Sequence, residues 1–267
     1  MIIKTKVKSK IKPALFILAL LLSYAIQAQN NGSAANVDSP RWHFLVEPYV
    51  LFPNMNGSVG IGDKLEDVEV DASAGDIFDN LKMGFMLNAE ASDGTWAIGS
   101  DFLYMKLTKD IRSGKLIEGG KVTAEQMGWE FSGLRRVTPW LEVGLAALIN
   151  SVQNELDLEI NKIGEGTRIV NKSKTETWVD PMVVARIKSP LEEKLVYHFR
   201  GEIGGFGIGS DLAWQIQAYA GYRFSELFHM TAGYRVISLD YENGKGQDRF
   251  RYDVDTSGPV ISFGFNF

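Results

Sequence analysis

From residue 41 onward, apolar and polar side chains alternate one by one over most of the chain. Trp42, Phe44, Val46, Val50 and Phe52 share one parity, with His43, Leu45, Glu47, Tyr49 and Leu51 on the other. A period of two is the signature of a half-buried β-strand. Leu81 to Ala91 sets Met83, Phe85, Leu87 and Ala89 against Lys82, Gly84, Asn88 and Glu90, and Ser92-Asp93-Gly94 then predicts a tight turn. Trp96, Ile98, Phe102 and Tyr104 alternate with Ala97, Gly99 and Asp101. Val122 to Arg136 carries Met127, Trp129 and Phe131 on one face and Gln126, Gly128, Glu130 and Ser132 on the other. After Thr138-Pro139, Leu141, Val143, Leu145, Ala147 and Ile149 oppose Glu142 and Gly144. A sixth strand, Thr177 to Lys188, has no clear faces because Asp180 and Pro181 interrupt it, and a seventh places Tyr197, Phe199 and Ile203 against His198, Arg200 and Glu202.

The eighth and ninth strands form the clearest hairpin. Trp214, Ile216, Ala218, Ala220, Tyr222 and Phe224 face one way, then Phe228, Met230, Ala232, Tyr234 and Val236. A turn centred on Glu226 puts Arg223 opposite His229 and Gln217 opposite Arg235, which keeps every polar residue on one face. A tenth strand runs from about Arg249 to Phe267. In order, the connections between these strands are about 28, 3, 13, 2, 24, 5, 8, 3 and 8 residues, long and short in turn. Short turns at one end and longer loops at the other describe a transmembrane antiparallel up-and-down β-barrel, all-β, with both termini on the short-turn side. Ten strands fit; eight is the alternative if the sixth is a loop excursion. In this topology Trp42, Trp96, Phe224, Phe228 and Phe265 gather at one rim and Phe52, Tyr104 and Trp214 near the other, as two interfacial aromatic girdles require.

The first forty residues are of a different kind. Lys4, Lys6, Lys8, Lys10 and Lys12 precede an apolar run from Ala14 to Leu22 and the small residues ending at Ala28. This reads as a secretory signal peptide over 1–28, followed by a flexible periplasmic tail over 29–40 and the barrel over 41–267. The apolar run, about ten residues, is too short to span roughly 30 Å of hydrocarbon. Setting its five lysines aside leaves 23 basic against 33 acidic residues and a net charge near −10, which argues against a nucleic-acid partner. There is no cysteine, hence no disulfide, thiolate metal site, catalytic thiol or lipidated cysteine.

The chain resembles small bacterial outer-membrane β-barrel proteins, in particular a group with no agreed function. The likeness rests on Glu47-Pro48-Tyr49, on Asp76-Ile77-Phe78-Asp79-Asn80-Leu81, and on Gly204-Gly205-Phe206-Gly207-Ile208-Gly209-Ser210-Asp211 followed by Trp214. Gly221-Tyr222-Arg223, Gly233-Tyr234-Arg235, Leu239-Asp240-Tyr241 and Ser257-Gly258-Pro259 extend it. It implies the fold, an outer-membrane location and outer-membrane lipids as neighbours. It carries over no catalytic residue and no cofactor. The ending Phe263, Phe265 and Phe267 also resembles the signal by which such barrels are recognised by the insertion machinery.

Charges on a lipid-facing surface would cost several kcal/mol, so the charged strand positions are expected to line the lumen. They are Glu47, Glu90, Asp101, Glu130, Glu142, Arg200, Glu202, Arg223 and Arg235. A barrel of eight to ten strands has little interior beyond its side chains, so a largely filled polar lumen of ion pairs is the favoured expectation. It would serve a monomer working in envelope integrity or surface interaction. A narrow channel lined by the same charges is the alternative, and a lipid-modifying or proteolytic enzyme the third reading. For that third reading His198 has Glu202 on its own face but no serine placed beside it, while His43 and His229 fall at the short-turn rim. The three histidines lie on separate strands without metal-ligand spacing. The Gly204–Asp211 run looks like a phosphate loop, but a strand rather than a helix follows it, so a tight hairpin is expected. The first outer connection, Pro53 to Asn80, is acidic, and Val68, Val70 and Ala72 alternate with acids as a short hairpin would.

Overall fold

The computed structural model describes residues 42–62, 66–111, 117–162, 166–190 and 193–267. The segments assigned to the signal peptide and the tail lie outside the described residues. The elements are β1 (His43–Leu51), β2 (Asn54–Ile61), β3 (Val68–Ala72), helix α1 (Ala74–Asn80), β4 (Leu81–Ser92), β5 (Trp96–Ile111) and β6 (Ile117–Arg136). They continue with β7 (Leu141–Lys162), β8 (Gly166–Lys188), β9 (Leu195–Gly205), β10 (Leu212–Arg223), β11 (Phe228–Asn243) and β12 (Phe250–Asn266). Each strand from β4 to β12 pairs antiparallel with the next, and β1 joins β4 on one side and β12 on the other. Ten strands therefore close into an antiparallel barrel. The closure is sealed at the termini, where the Phe44 and Phe267 backbones exchange hydrogen bonds of 3.0 and 2.8 Å.

Alternation sets the two faces as the sequence predicts. Val143 and Leu145 of β7, Ile216 and Tyr222 of β10, and Phe263 and Phe265 of β12 are exposed on the outside, while Glu142, Gln215, Gln217 and Ser262 are buried within. An exposed apolar exterior with its polar groups inside is stable only against lipid, and closing the sheet pairs strand edges that hydrocarbon could not satisfy. The chain is thus a transmembrane β-barrel of the outer-membrane type. The short-turn rim carries the expected aromatic cluster: Phe228 lies 5.8 Å from Phe224 and 5.4 Å from Phe265, ring centre to ring centre. The expected register of β10 and β11 is the observed one, with Arg223 opposite His229 and Gln217 opposite Arg235.

Two expectations need correction. The connection of about 24 residues before Thr177 is not a loop: β7 and β8 pair from Leu141↔Ile187 up to Lys162↔Gly166. The connection of about 13 residues between β5 and β6 is likewise mostly ladder, from Trp96↔Arg135 to Ile111↔Gly120. These hairpins outrun the membrane. Beyond it water bathes the outer face, so the phase of the pattern inverts: Ser151, Gln153 and Glu155 point outward while Val152 is buried inside. The same inversion occurs within single strands. In β12 the outward series runs Phe265, Phe263, Ile261, then Ser257, Asp255, Asp253, while Val254, Tyr252 and Phe250 turn inward and are buried. A window spanning the inversion shows no clean period, which is why the sequence reads there as loop.

The sixth strand now has its faces: Trp178, Asp180, Met182, Val184 and Arg186 are buried, and Val179 and Val183 are exposed. Pro181 interrupts nothing, because the β8–β9 ladder ends at Met182↔Gly204 and asks no N–H of it. The acidic first connection folds as the β2–β3 hairpin followed by α1. Ser73 caps α1 with a capping box to Asp76.

Candidate functional site

The lumen is built in tiers from the short-turn end upward. At the mouth a cavity of about 80 Å³ is bordered by His43, Glu47, His198, Arg223, His229 and Asn266. Glu47 is held by a relay: Ser262 Oγ donates to Glu47 Oε1 at 2.6 Å, and Thr231 Oγ1 lies 2.6 Å from Ser262 Oγ. Since the serine proton goes to the carboxylate, the threonine must donate to the serine. Asn266 Nδ2 lies 3.0 Å from His229 Nδ1, which assigns the His229 proton to Nε2, 3.7 Å from Glu47 Oε1. A Cβ at Gly264 would come 2.2 Å from the His229 ring, so a glycine is what allows the imidazole to lie across β12.

Above the mouth sits a first charged tier. Arg186 bonds both Glu90 and Glu142, its Nε to Glu142 Oε2 at 2.8 Å. Lys188 Nζ reaches Glu90 Oε1 at 2.7 Å, and Arg136 Nη2 reaches Glu142 Oε1 at 3.0 Å. The second tier joins Glu130, Glu202 and Asp101 to Arg200 and Arg235. Arg200 bridges Glu130 and Glu202, and Gln215 Nε2 donates to the other oxygen of Glu130 at 2.5 Å. Arg235 meets Asp101 Oδ2 at 2.7 Å and donates to Tyr49 Oη and Gln215 Oε1, each at 2.9 Å. Tyr49 in turn donates to Asp101 Oδ1 at 2.8 Å.

By formal charge the first tier has three cations and two acids and the second two cations and three acids, so the excesses cancel between neighbours. Pairing and hydrogen bonding of this density is what makes buried charge tolerable. Between the tiers lies a cavity of about 30 Å³, bordered by Arg186, His198, Arg200 and Arg235, large enough for a water or two.

Higher still the interior changes character. Asp180, fully buried, accepts from Asn150 Nδ2 at 2.9 Å, Trp178 Nε1 at 3.0 Å, Ser210 N at 2.5 Å and Ser210 Oγ at 2.9 Å. Ser210 comes from the turn between β9 and β10, the glycine-rich run. That run is a hairpin, with Phe206, Gly205 and Gly207 at positive φ. Gly209 has no room for a side chain, since a Cβ would sit 2.4 Å from Asp180 Oδ1. Above Asp180, Trp178 stacks on Tyr241 at 4.0 Å and 7°, with Tyr252, Phe250, Leu239, Val254 and Met182 packed around them. Ion pairs and hydrogen bonds fill the lumen up to Asp180; beyond it the interior is an apolar core.

Of the nine expected lining residues, Glu90, Asp101, Glu130, Glu142, Arg200, Glu202 and Arg235 meet in the two tiers, and Glu47 belongs to the mouth. Arg223 is at the rim, where its Nε donates to the Glu193 carbonyl at 3.2 Å. Arg136, Arg186, Lys188, Tyr49 and Gln215 complete the tiers without having been singled out as lining. Parity placed Gln215 and Tyr49 on the inward face without marking them as lining; Arg186 and Lys188 were hidden by the unresolved faces of β8. Phe263 and Phe265 face outward on β12, and Phe267 is exposed at its end.

No family description and no curated protein matches the chain. Solved structures do. Outer membrane protease OmpT from Escherichia coli is similar at 8% identity, over 88% of this chain and 99% of that one, with a TM-score of 0.49. Ail, the attachment invasion locus protein of Yersinia pestis, is similar at 12% identity, over 86% and 100%, with a TM-score of 0.37. Neisserial surface protein A follows at 10%, over 85% and 97%, with a TM-score of 0.30. The likeness is one of barrel architecture alone. The barrel's own apolar belt and polar interior place the protein in the bacterial outer membrane.

Proposed function

We propose that the protein is a closed, monomeric barrel whose lumen is a structural core and whose work is done at its surfaces. That work is envelope integrity or surface interaction through the sheets that rise above the membrane. The observation that carries this reading is the Trp178–Tyr241 stack seated over two interlocked ion-pair tiers. A solute would have to break both to pass. Phe263, Phe265 and Phe267 are proposed as the segment read by the insertion machinery.

Planar-bilayer recording of the refolded protein tests the closed reading. The expected result is a silent bilayer, for the native chain and for Glu130→Gln alike. Discrete steps whose ion selectivity moves with Glu130→Gln would replace the reading by a narrow channel. A hydrolase at the outer rim has no support in the placement of the histidines. His43, His198 and His229 all border the cavity at the short-turn mouth.

A further inference from the structure

The barrel wall is weakly laced at β1. Its ladder to β12 is paired at Leu45 and Val46, lapses at Glu47 and Pro48, and resumes at Tyr49 to Leu51. Even-numbered residues of β1 direct their N–H toward β12, as Phe44 and Phe52 do, and Pro48 has none to give. On the other side the ladder to β4 stops at Pro48↔Leu87. Above that point the chain follows β12 as β2, then turns into β3, and β4 goes on without them.

What closes the wall there is side chains, not backbone hydrogen bonds. The Leu51 N–H, pointing at β4, lands on Met86 Sδ at 3.2 Å. A thioether is a weak acceptor. By the alternation of the ladder, the N–H groups of Met86 and Gly84 face the same seam. Helix α1 touches β2, β3 and β5, with Ile77 buried beneath it and Phe78 5.3 Å from Phe52, ring centre to ring centre.

The seam lies at the outer edge of the lipid belt. Met83 and Phe85 flank it and are exposed on the outside, and Phe85 pairs with Tyr104, just below the charged outward pair Lys106 and Glu125. Behind it the interior is mainly apolar at this height: Leu51, Leu103, Met105 and Val260 pack with Leu81, Met86 and the rings of Tyr49 and Tyr219. The outside and the inside of the wall are therefore both apolar where the wall is unlaced.

We infer that this seam is a lateral site for one acyl chain of an outer-leaflet lipid, which enters between β1 and β4 when Met86 and α1 give way. In a bilayer the exchange is close to neutral, because lipid tails are as apolar as the side chains they replace. Methionine is the side chain best suited to such repacking. The depth also suits the polar end of the chain. A lipid's ester carbonyl at the belt edge would be placed to accept from the Gly84 and Met86 N–H groups, which face the seam beyond the end of the β1–β4 ladder.

The test is photolabelling in vesicles that carry a phospholipid with a diazirine in its acyl tail, read by mass spectrometry of the full refolded chain. The expected result is adducts on the inward residues Leu51, Leu103 or Met105 as well as on outward ones. A Val50→Cys, Phe85→Cys pair would continue the β1–β4 register, and the chain has no other cysteine to confuse it. Oxidation of that pair should cut inward labelling at least fivefold, and reduction of the same sample should restore it. Adducts confined to outward residues, or inward adducts indifferent to oxidation, would overturn the site. Bilayer conductance tests the closed-lumen reading on its own, so failure of either reading leaves the other distinguishable.

Discussion

The half of the barrel within the membrane and the half above it are built from the same strands with opposite logic. Within the membrane, β12 turns Phe265, Phe263 and Ile261 outward and Ser262 inward; above it, the same strand turns Asp255 and Asp253 outward and Val254, Tyr252 and Phe250 inward. β11 does likewise, from Met230, Tyr234 and Val236 outside with Thr231 and Arg235 inside, to Asp240 outside with Leu239 and Tyr241 inside. Backbone geometry does not change at the crossing. Only the solvent changes, and each face takes whatever its surroundings dissolve. The lower half is therefore held by ion pairs and hydrogen bonds, the upper half by apolar packing.

Matched substitutions in the two halves should bring this out. Arg200→Met strands Glu130 and Glu202 in the buried tier, and should cost about 3–5 kcal/mol of unfolding free energy. Arg249→Met, at the outer rim beside Asp67 and Glu242, should cost no more than about 1 kcal/mol by urea titration in vesicles. Equal effects would end the distinction. On β7, Leu145→Arg faces lipid and should cost about 2–4 kcal/mol by the same titration. Gln153→Arg has the same parity eight residues further up, beyond the belt, and should fall within about 0.5 kcal/mol of the native chain.

The smallest effect concerns acid. A hydrogen bond from Arg249, and the charges of Arg249 and Arg251, hold the Asp67 carboxyl below its ordinary range. A depressed carboxylate stabilises fully above its unfolded pKa, about 3.9, and loses that contribution as pH falls through the lowered folded value. The β2–β3 hairpin should thus hold unchanged from pH 7 to about 5 and become open to pepsin below about 4, while the lipid-embedded strands stay protected. Cleavage in both regions at the same pH would mean that no local release occurs.

How much of this was legible depended on the solvent on each side. Strands that stay within the belt announced themselves, and the β10–β11 register could be read from Gln217 and Arg235 alone. β7 and β8 could not be read through, because Val152 and Trp178 are apolar at positions whose parity had been polar a few residues earlier. Asp180 looked like a break and is instead the hydrogen-bonded anchor for Trp178, Asn150 and Ser210. The charged tiers were visible as a set of inward charges, but not the partnering. Glu130 and Arg200 are 70 residues apart and meet only once the sheet has closed. The β1–β4 seam left a local trace in Pro48 and Pro53, yet its meaning depends on which strand β2 follows.

The inversion also works as a draught mark. It falls at Ser151 on β7, at Thr177 on β8, after Val236 on β11 and at Ser257 on β12, four readings of one water surface taken around the wall. Together they fix how deep the protein floats and how far it leans. A bilayer thinner or thicker than the one it is cut for would wet the wrong residues on every side at once.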